Sequence, residues 1–242
     1  MTALSANDSR VLSALFDPES SPSNAISIST SDTLPGLTHK ECATLQSQEA
    51  AILAALDTAS PTPDQIRSTH AAISDLIQRN PRYAPAYIDR AQIARLTLQT
   101  SDLFTAQHEA ASRQLLSDLA QGIDLASPSA PSDAVSALQS RILAAAHTHR
   151  GLLLLKVADM RTRGEAVHGV GEAVGVMEAM DIEGLASKDF YMGGRYGNKI
   201  AQQLAVKTNP YAKMCGAIVK EAIQKEIEEA EGGLRDGFGA GA

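Results

Sequence analysis

Apolar positions recur at helical spacing along most of the chain, and proline-containing breaks divide them into segments. In residues 7–16, Val11, Leu12, Leu15 and Phe16 share one face behind a capping Asn7 or Asp8, and Pro18 stops the unit. Residues 18–38 are rich in Ser and Thr with Pro22 and Pro35. Such a stretch buries too little apolar surface to offset its ordering entropy, so it is expected to be a flexible linker.

From His39 onward the pattern is helical. Leu45, Ala51, Ile52 and Leu56 form one helix, ended by Ser60-Pro61-Thr62-Pro63. Asp64 is expected to cap the next, with Ile66, Ile73, Leu76 and Ile77 buried, up to Asn80-Pro81. A third runs from Ala84 to about Gln99. A fourth over 105–126 carries Leu115, Leu116, Leu119 and Ile123, and a fifth, capped by Ser132 or Asp133, reaches about Met160. Residues 161–187 are dotted with glycine. Short helices are expected at Ala186–Gly193 and Lys199–Lys207. After Asn209-Pro210, the residues Tyr211, Cys215, Val219, Ile223 and Ile227 draw one apolar stripe, expected to cap the array, while Lys213, Lys220, Glu221, Lys225, Glu228 and Glu229 face water. Gly232–Ala242 is a Gly/Ala tail expected to be disordered. No alternating strand pattern stands out; Ala25–Ile28 is the one β-like scrap.

The organisation is therefore residues 1–17, a linker over 18–38, a helical domain over 39–231 with an insertion at about 157–185, and a tail over 232–242. Within the domain the tetratricopeptide spacing recurs in degenerate form. Tyr87, Arg90 and Ala91 match His147, Arg150 and Gly151 as first-helix positions. Thr69, Ile73 and Pro81, then Leu116, Ala120 and Pro128, then Ala186, Phe190 and Asn198 are aligned as second-helix positions. The expected fold is all-α: a right-handed superhelix of three degenerate helix pairs of tetratricopeptide type with a C-terminal capping helix.

Composition narrows the function classes. The net charge of -7 leaves no basic stripe for nucleic acid, and no apolar run approaches the ~18 residues of a membrane span. Two cysteines without a leader sequence suggest a reduced, cytoplasmic protein. Gly164, Gly169, Gly171 and Gly175 do not have nucleotide-loop spacing, and His147 and His149 point about 200° apart on a helix, so neither a cofactor nor a metal is expected. Without a nucleophile or metal cluster, an enzyme is not expected; the alternative from another class is a small helical enzyme or ligand carrier using the glycine-dotted insertion.

Four blocks, in order along the chain, carry a family resemblance: Val11-Leu12-Ser13-Ala14-Leu15-Phe16-Asp17-Pro18, the stretch Ala86–Leu96, Arg150-Gly151-Leu152-Leu153, and Asn209-Pro210-Tyr211-Ala212-Lys213-Met214-Cys215. In these the chain resembles the tetratricopeptide-repeat protein 36 family. The resemblance implies three helical repeats, no enzymatic chemistry and a protein-binding adaptor, with links to chaperones and to tyrosine catabolism.

In such an array the first helix of each pair lines a concave face. The groove residues expected from the register are Ile88, Asp89, Gln92, Arg95 and Leu96, then Thr148, Leu152, Leu155 and Lys156. The partner is expected to be a protein or peptide, such as a chaperone or a metabolic enzyme. Ala51, Ala55, Asp89, Thr148 and Leu152 occupy positions where a clamp for a chaperone's C-terminal carboxylate needs Lys and Asn, so a chaperone would have to bind elsewhere. The helix carrying Val11, Leu12, Leu15 and Phe16 could dock in its own groove, recruit a partner, or cap the first pair.

Overall fold

The computed structural model describes residues 26–58, 60–130, 133–209 and 220–227. Its helices are α1 (His39–Leu53), α2 (Pro63–Arg79), α3 (Ala84–Thr97), α4 (Glu109–Ala126), α5 (Ala137–Thr162), the single turn α6 (Glu172–Gly175), α7 (Ala179–Arg195) and α8 (Lys199–Thr208). The all-α expectation holds. Expectations for residues 1–25, including Val11, Leu12, Leu15 and Phe16, and for Pro210–Val219 and the tail lie outside the described residues.

Helix starts are set by capping boxes that satisfy otherwise orphaned backbone donors. Thr38 pairs with Glu41 at α1, Thr62 with Gln65 at α2, and Ser136 with Gln139 at α5. Two expected caps are corrected by this. Thr62, with Pro63 in the first turn, displaces Asp64, and Ser136 displaces Ser132 or Asp133. The shift at α5 has a tertiary cause. Ile28–Ser29 (β1) pairs in parallel with Val135–Ser136 (β2), leaving α5 to begin at Ala137.

That pairing also corrects the linker expectation over its described part. The Ser136 hydroxyl donates to the Thr33 carbonyl at 2.6 Å, the Ala137 amide donates to the Ser31 carbonyl, and Leu34 is buried. Residues 26–38 are thus anchored against the start of α5.

Successive helices pack side by side, α2 on α3, α3 on α4, α4 on α5, α5 on α7 and α7 on α8. Two of these hairpins share one construction. In α3–α4, Arg90 Nε and Nη2 donate to both oxygens of Asp118 at 2.8 and 2.6 Å, and Gly122 admits Ile88 and faces the Ala84 carbonyl. In α5–α7, Arg150 donates through the same two nitrogens to Asp189, both at 2.7 Å, and Gly193 admits Thr148 and faces the Ala144 carbonyl. Each position on α3 has its counterpart on α5, and each on α4 its counterpart on α7. The seam consists of an antiparallel crossing, a bidentate ion pair and a glycine one turn beyond the acid, where a side chain would hold the helices apart. In α2 the buried Thr69 and Ile73 bracket Ala72 where the acid would stand.

The seam confirms the first-helix alignment of Tyr87, Arg90 and Ala91 with His147, Arg150 and Gly151. It corrects the second-helix alignment by one residue. Leu115 and Leu119, both buried, correspond to Ala186 and Phe190, whereas Leu116 is half-buried and Ala120 exposed.

The expected insertion is resolved into three parts. Residues 157–162 complete α5, residues 179–185 belong to α7, and the stretch between them is a strap across the start of α4. The strap is held by the His168 amide donating to the Phe104 carbonyl at 2.8 Å, by Gly169 against the Glu109 carbonyl and Ser112, and by Arg161 donating to the Gly175 carbonyl. Phe104 is fully buried in a left-handed conformation (φ 63°), and its amide donates to Ser112 Oγ at 2.9 Å.

At the far end, residues 220–227 are helical and exposed, with Ile223 and Ile227 each 52 % exposed. The rest of the stripe, Tyr211, Cys215 and Val219, lies outside the described residues.

Candidate functional site

The seam determines which side of α3 and α5 remains open. Ile88 and Thr148 face the second helix of their own hairpins. Ile88 is buried on Gly122, and Thr148 donates to the Ala144 carbonyl at 2.6 Å beside Gly193. Both were expected in the groove, and both are corrected to seam positions. One residue on, Asp89 and His149 occupy corresponding places on the outward side. Three further on stand Gln92 and Leu152, and seven further on Leu96 and Lys156. This spacing makes one helical face on each helix.

The helix faces are joined electrostatically across the stack. Asp89 on α3 meets Glu49 on α1, and Glu49 Oε2 accepts a hydrogen bond from Tyr83 Oη at 2.7 Å. Burial, with Glu49 alongside, pushes the Asp89 carboxyl up to about 9, so it carries a proton at neutral pH. Its Oδ2 is buried without a hydrogen-bond partner. Burial and the same Glu49 push the Tyr83 phenol up as well, keeping it protonated. On α5, burial and then the nearby Arg95 charge push His149 down to about 4, so it is neutral. The two deepest corresponding positions of the face are therefore both uncharged at pH 7, for opposite reasons.

Around them the face is mixed. Leu96 and Leu152 are about half exposed, and Gln92 is exposed. Arg95 does not stand free: Nη1 donates to the Leu98 carbonyl at 3.0 Å, closing the end of α3. Leu155 packs half-buried against the core, and Lys156 is half-buried at the rim. Of the nine expected groove residues, the structure brings Asp89, Gln92, Leu96, Leu152 and Lys156 to one face. It places Arg95 and Leu155 at its margins and moves Ile88 and Thr148 to the seams.

Glu49, Tyr83 and His149 were missed. His149 could have been found, because it stands to Arg150 as Asp89 stands to Arg90. Glu49 carries no such signal, since its partner is reached only through packing of α1 near α3.

Two clefts of about 430 and 420 Å³ lie elsewhere. One is lined by Lys40, Glu41, Gln48 and Arg79, the other by Ser187, Lys188, Tyr191, Ala205 and Val206. Among the described residues no group of three or more His, Cys, Asp or Glu could hold a metal ion, and no helix is long and apolar enough to cross a membrane.

The fold and this face define an all-α protein of stacked helix hairpins with an open face built from their first helices. No family model matches the chain, and no solved structure matches it. It is 44% identical over 241 residues to the L-tyrosine degradation gene cluster protein hmgX of Aspergillus fumigatus, covering 93% of this chain and 94% of that protein. The chain belongs to the family of that protein. This overturns the resemblance to the tetratricopeptide-repeat protein 36 family. Two of the four blocks behind that resemblance carry the seam residues Arg90 and Arg150, which the hairpin packing itself requires.

Proposed function

We propose that this chain is an accessory protein of L-tyrosine degradation that binds an enzyme of that process on the face formed by α1, α3 and α5. The observation that carries the metabolic assignment is the identity to the gene-cluster protein along nearly the whole of both chains. In this reading the hairpins continue as a superhelix of three pairs of tetratricopeptide type, and the face is its concave side. Half-exposed Leu96 and Leu152, flanked by Gln92 and Lys156, suit a polypeptide segment better than a metabolite, because they offer apolar contact without an enclosing cavity. The role is regulatory or scaffolding rather than catalytic, and the protein acts in the cytoplasm. No observation adds support for a co-chaperone.

A second reading has one observation in its favour. A buried Asp89 that keeps its proton beside the Glu49 carboxyl and the Tyr83 hydroxyl is the kind of group used in acid–base catalysis. It is the weaker reading because the pair lies apart from both clefts.

The test has two arms. Removing the gene is expected to slow growth on L-tyrosine as sole carbon source; an unchanged rate refutes the metabolic assignment. Titrating the purified chain against each purified enzyme of L-tyrosine breakdown is expected to find a partner. The substitutions Leu96→Glu and Leu152→Glu together should weaken that binding at least ~10-fold. Equal binding by the double variant refutes the face.

A further inference from the structure

We propose that the end of the strap and the start of α7 form a second docking surface, made of other residues than the open face, for a basic polypeptide segment of another protein. Its centre is apolar and the residues flanking it are acidic. It does not depend on what the open face binds.

The apolar centre is Val176 and Met180, 81 % and 67 % exposed, the two most exposed large apolar residues among those described. They are four residues apart, so their Cα atoms lie within about 14 Å of each other. The backbone that carries them is tied down. Val174 and Met177 pack half-buried against the core, the Gly175 amide donates to the Gly171 carbonyl at 2.9 Å, and the Met177 amide donates to the Val174 carbonyl at 3.2 Å. Arg161 donates to the Gly175 carbonyl from α5. Beyond Met177, the Glu178 carbonyl accepts from the amides of Asp181 and Ile182, which starts α7. Covering these side chains therefore needs little further ordering of the chain. An apolar residue standing singly in water is ordinary, but two held this near each other on a fixed backbone mark a contact surface.

The charges set the chemistry of the occupant. From Gly164 to Ser187 the chain carries five acids, Glu165, Glu172, Glu178, Asp181 and Glu183, and no Lys or Arg. Glu165 is paired with Arg163. Glu172, Glu178 and Asp181 are exposed, and none of the three is in an ion pair among the described residues. The positive end of α7 favours acids at Glu178 and Asp181, but it gives no reason for Glu172 or for apolar side chains in water. Acids beside an apolar contact steer Lys and Arg towards it and repel acidic segments. A second copy of the chain is the poorer match. The chain has a net charge of -7, and its own exposed apolar helix over residues 220–227 balances Lys220 and Lys225 against Glu221 and Glu226, so it brings no net positive charge.

Two short amphipathic probe peptides of one pattern test this, one built from Lys and Leu and the other from Glu and Leu. Each is titrated into the full chain while the backbone amides are followed by NMR. The Lys–Leu peptide is expected to bind with a Kd on the order of 10 µM, to shift the amides of residues 172–184 most, and to weaken at least ~5-fold between about 50 and about 300 mM salt. The Glu–Leu peptide is expected not to bind. Val176→Glu with Met180→Glu should weaken binding at least ~10-fold. Glu172→Gln with Asp181→Asn should weaken it ~3-fold or more and flatten the salt dependence. Leu96→Glu with Leu152→Glu, on the open face, should leave it unchanged. Should the Val176 and Met180 double variant lower the Tm, Val176→Ser, which lies between α6 and α7, is the check, with a loss of ~3-fold. No binding, equal binding of the two peptides, equal binding by the strap variants, or shifts centred on residues 88–96 and 149–156 overturn the docking surface. A dimer of the free chain that Val176→Glu dissociates also overturns it, because the occupant would then be a second copy. Loss of enzyme binding by the open face would count against the proposed function alone.

Discussion

Asp118 is 2 % exposed, and its carboxylate takes two hydrogen bonds from Arg90 and one from Gln114 at 2.8 Å. Replacing it with Ala removes the counter-charge of a guanidinium whose side chain is itself only 16 % exposed. Breaking one partner of a buried pair costs about 3–5 kcal/mol, because the remaining charge stays out of water. For a domain of this size that corresponds to a drop in Tm of roughly 6–20 °C. Replacing both partners by apolar residues of similar volume, Arg90→Met with Asp118→Leu, removes the stranded charge and should cost less than half as much. Urea unfolding of the wild type, both single variants and the double variant gives the coupling directly. The same cycle on Arg150 and Asp189 should give a larger penalty for loss of the acid, since Asp189 also takes a hydrogen bond from His147 at 2.8 Å. Burial pushes the Asp189 carboxyl up, but Arg150 and His147 more than reverse this and hold it below the usual carboxylate range. A cost below about 1 kcal/mol for Asp118→Ala, or strictly additive single changes, would refute the view that the seams depend on these pairs.

Two further expectations concern pH and one concerns the strap. His149 resists protonation in the fold, so stability should fall as pH drops from about 6.5 to about 4, by up to ~3 kcal/mol; His149→Gln should flatten that limb of a Tm-against-pH curve. Asp89 has the opposite sign: its proton is held more tightly folded than unfolded, so stability should fall as pH rises from about 4 towards about 9, and Asp89→Asn should remove that slope. Gly169→Ala should cost about 2 kcal/mol or more in urea unfolding, because φ is +75° and a Cβ would run into the Glu109 carbonyl oxygen; a neutral result would mean the strap is loosely held.

The helices could be read from the sequence because prolines and apolar spacing mark them locally. The first-helix register was also legible, since Arg90-Ala91 and Arg150-Gly151 follow a large residue at the same interval. The second-helix register slipped because α4 carries Leu115, Leu116 and Leu119, and hydropathy does not say which pair is buried. The discriminating residues, Asp118 and Asp189, are acids that a pattern of burial assigns to the surface until their arginines are seen. The strand pair was illegible for a different reason: Ile28 and Val135 meet across more than a hundred residues, and a two-residue bridge has no periodicity to display. For the open face, the sequence supplied most of the outward residues but not their protonation. The neutral states of Asp89 and His149 arise from burial, with Glu49 and Arg95 on other helices adding to it.

The two hairpins differ in one respect. Arg90 and Asp118 are 28 residues apart in sequence, Arg150 and Asp189 are 39, yet the crossings they lock are alike. The surplus is taken up by a longer α5 and by the strap, neither of which alters the geometry of the crossing. Chain length can therefore drift at that rim from one relative to the next without moving the stack, making the strap the place where divergence in this family should accumulate first.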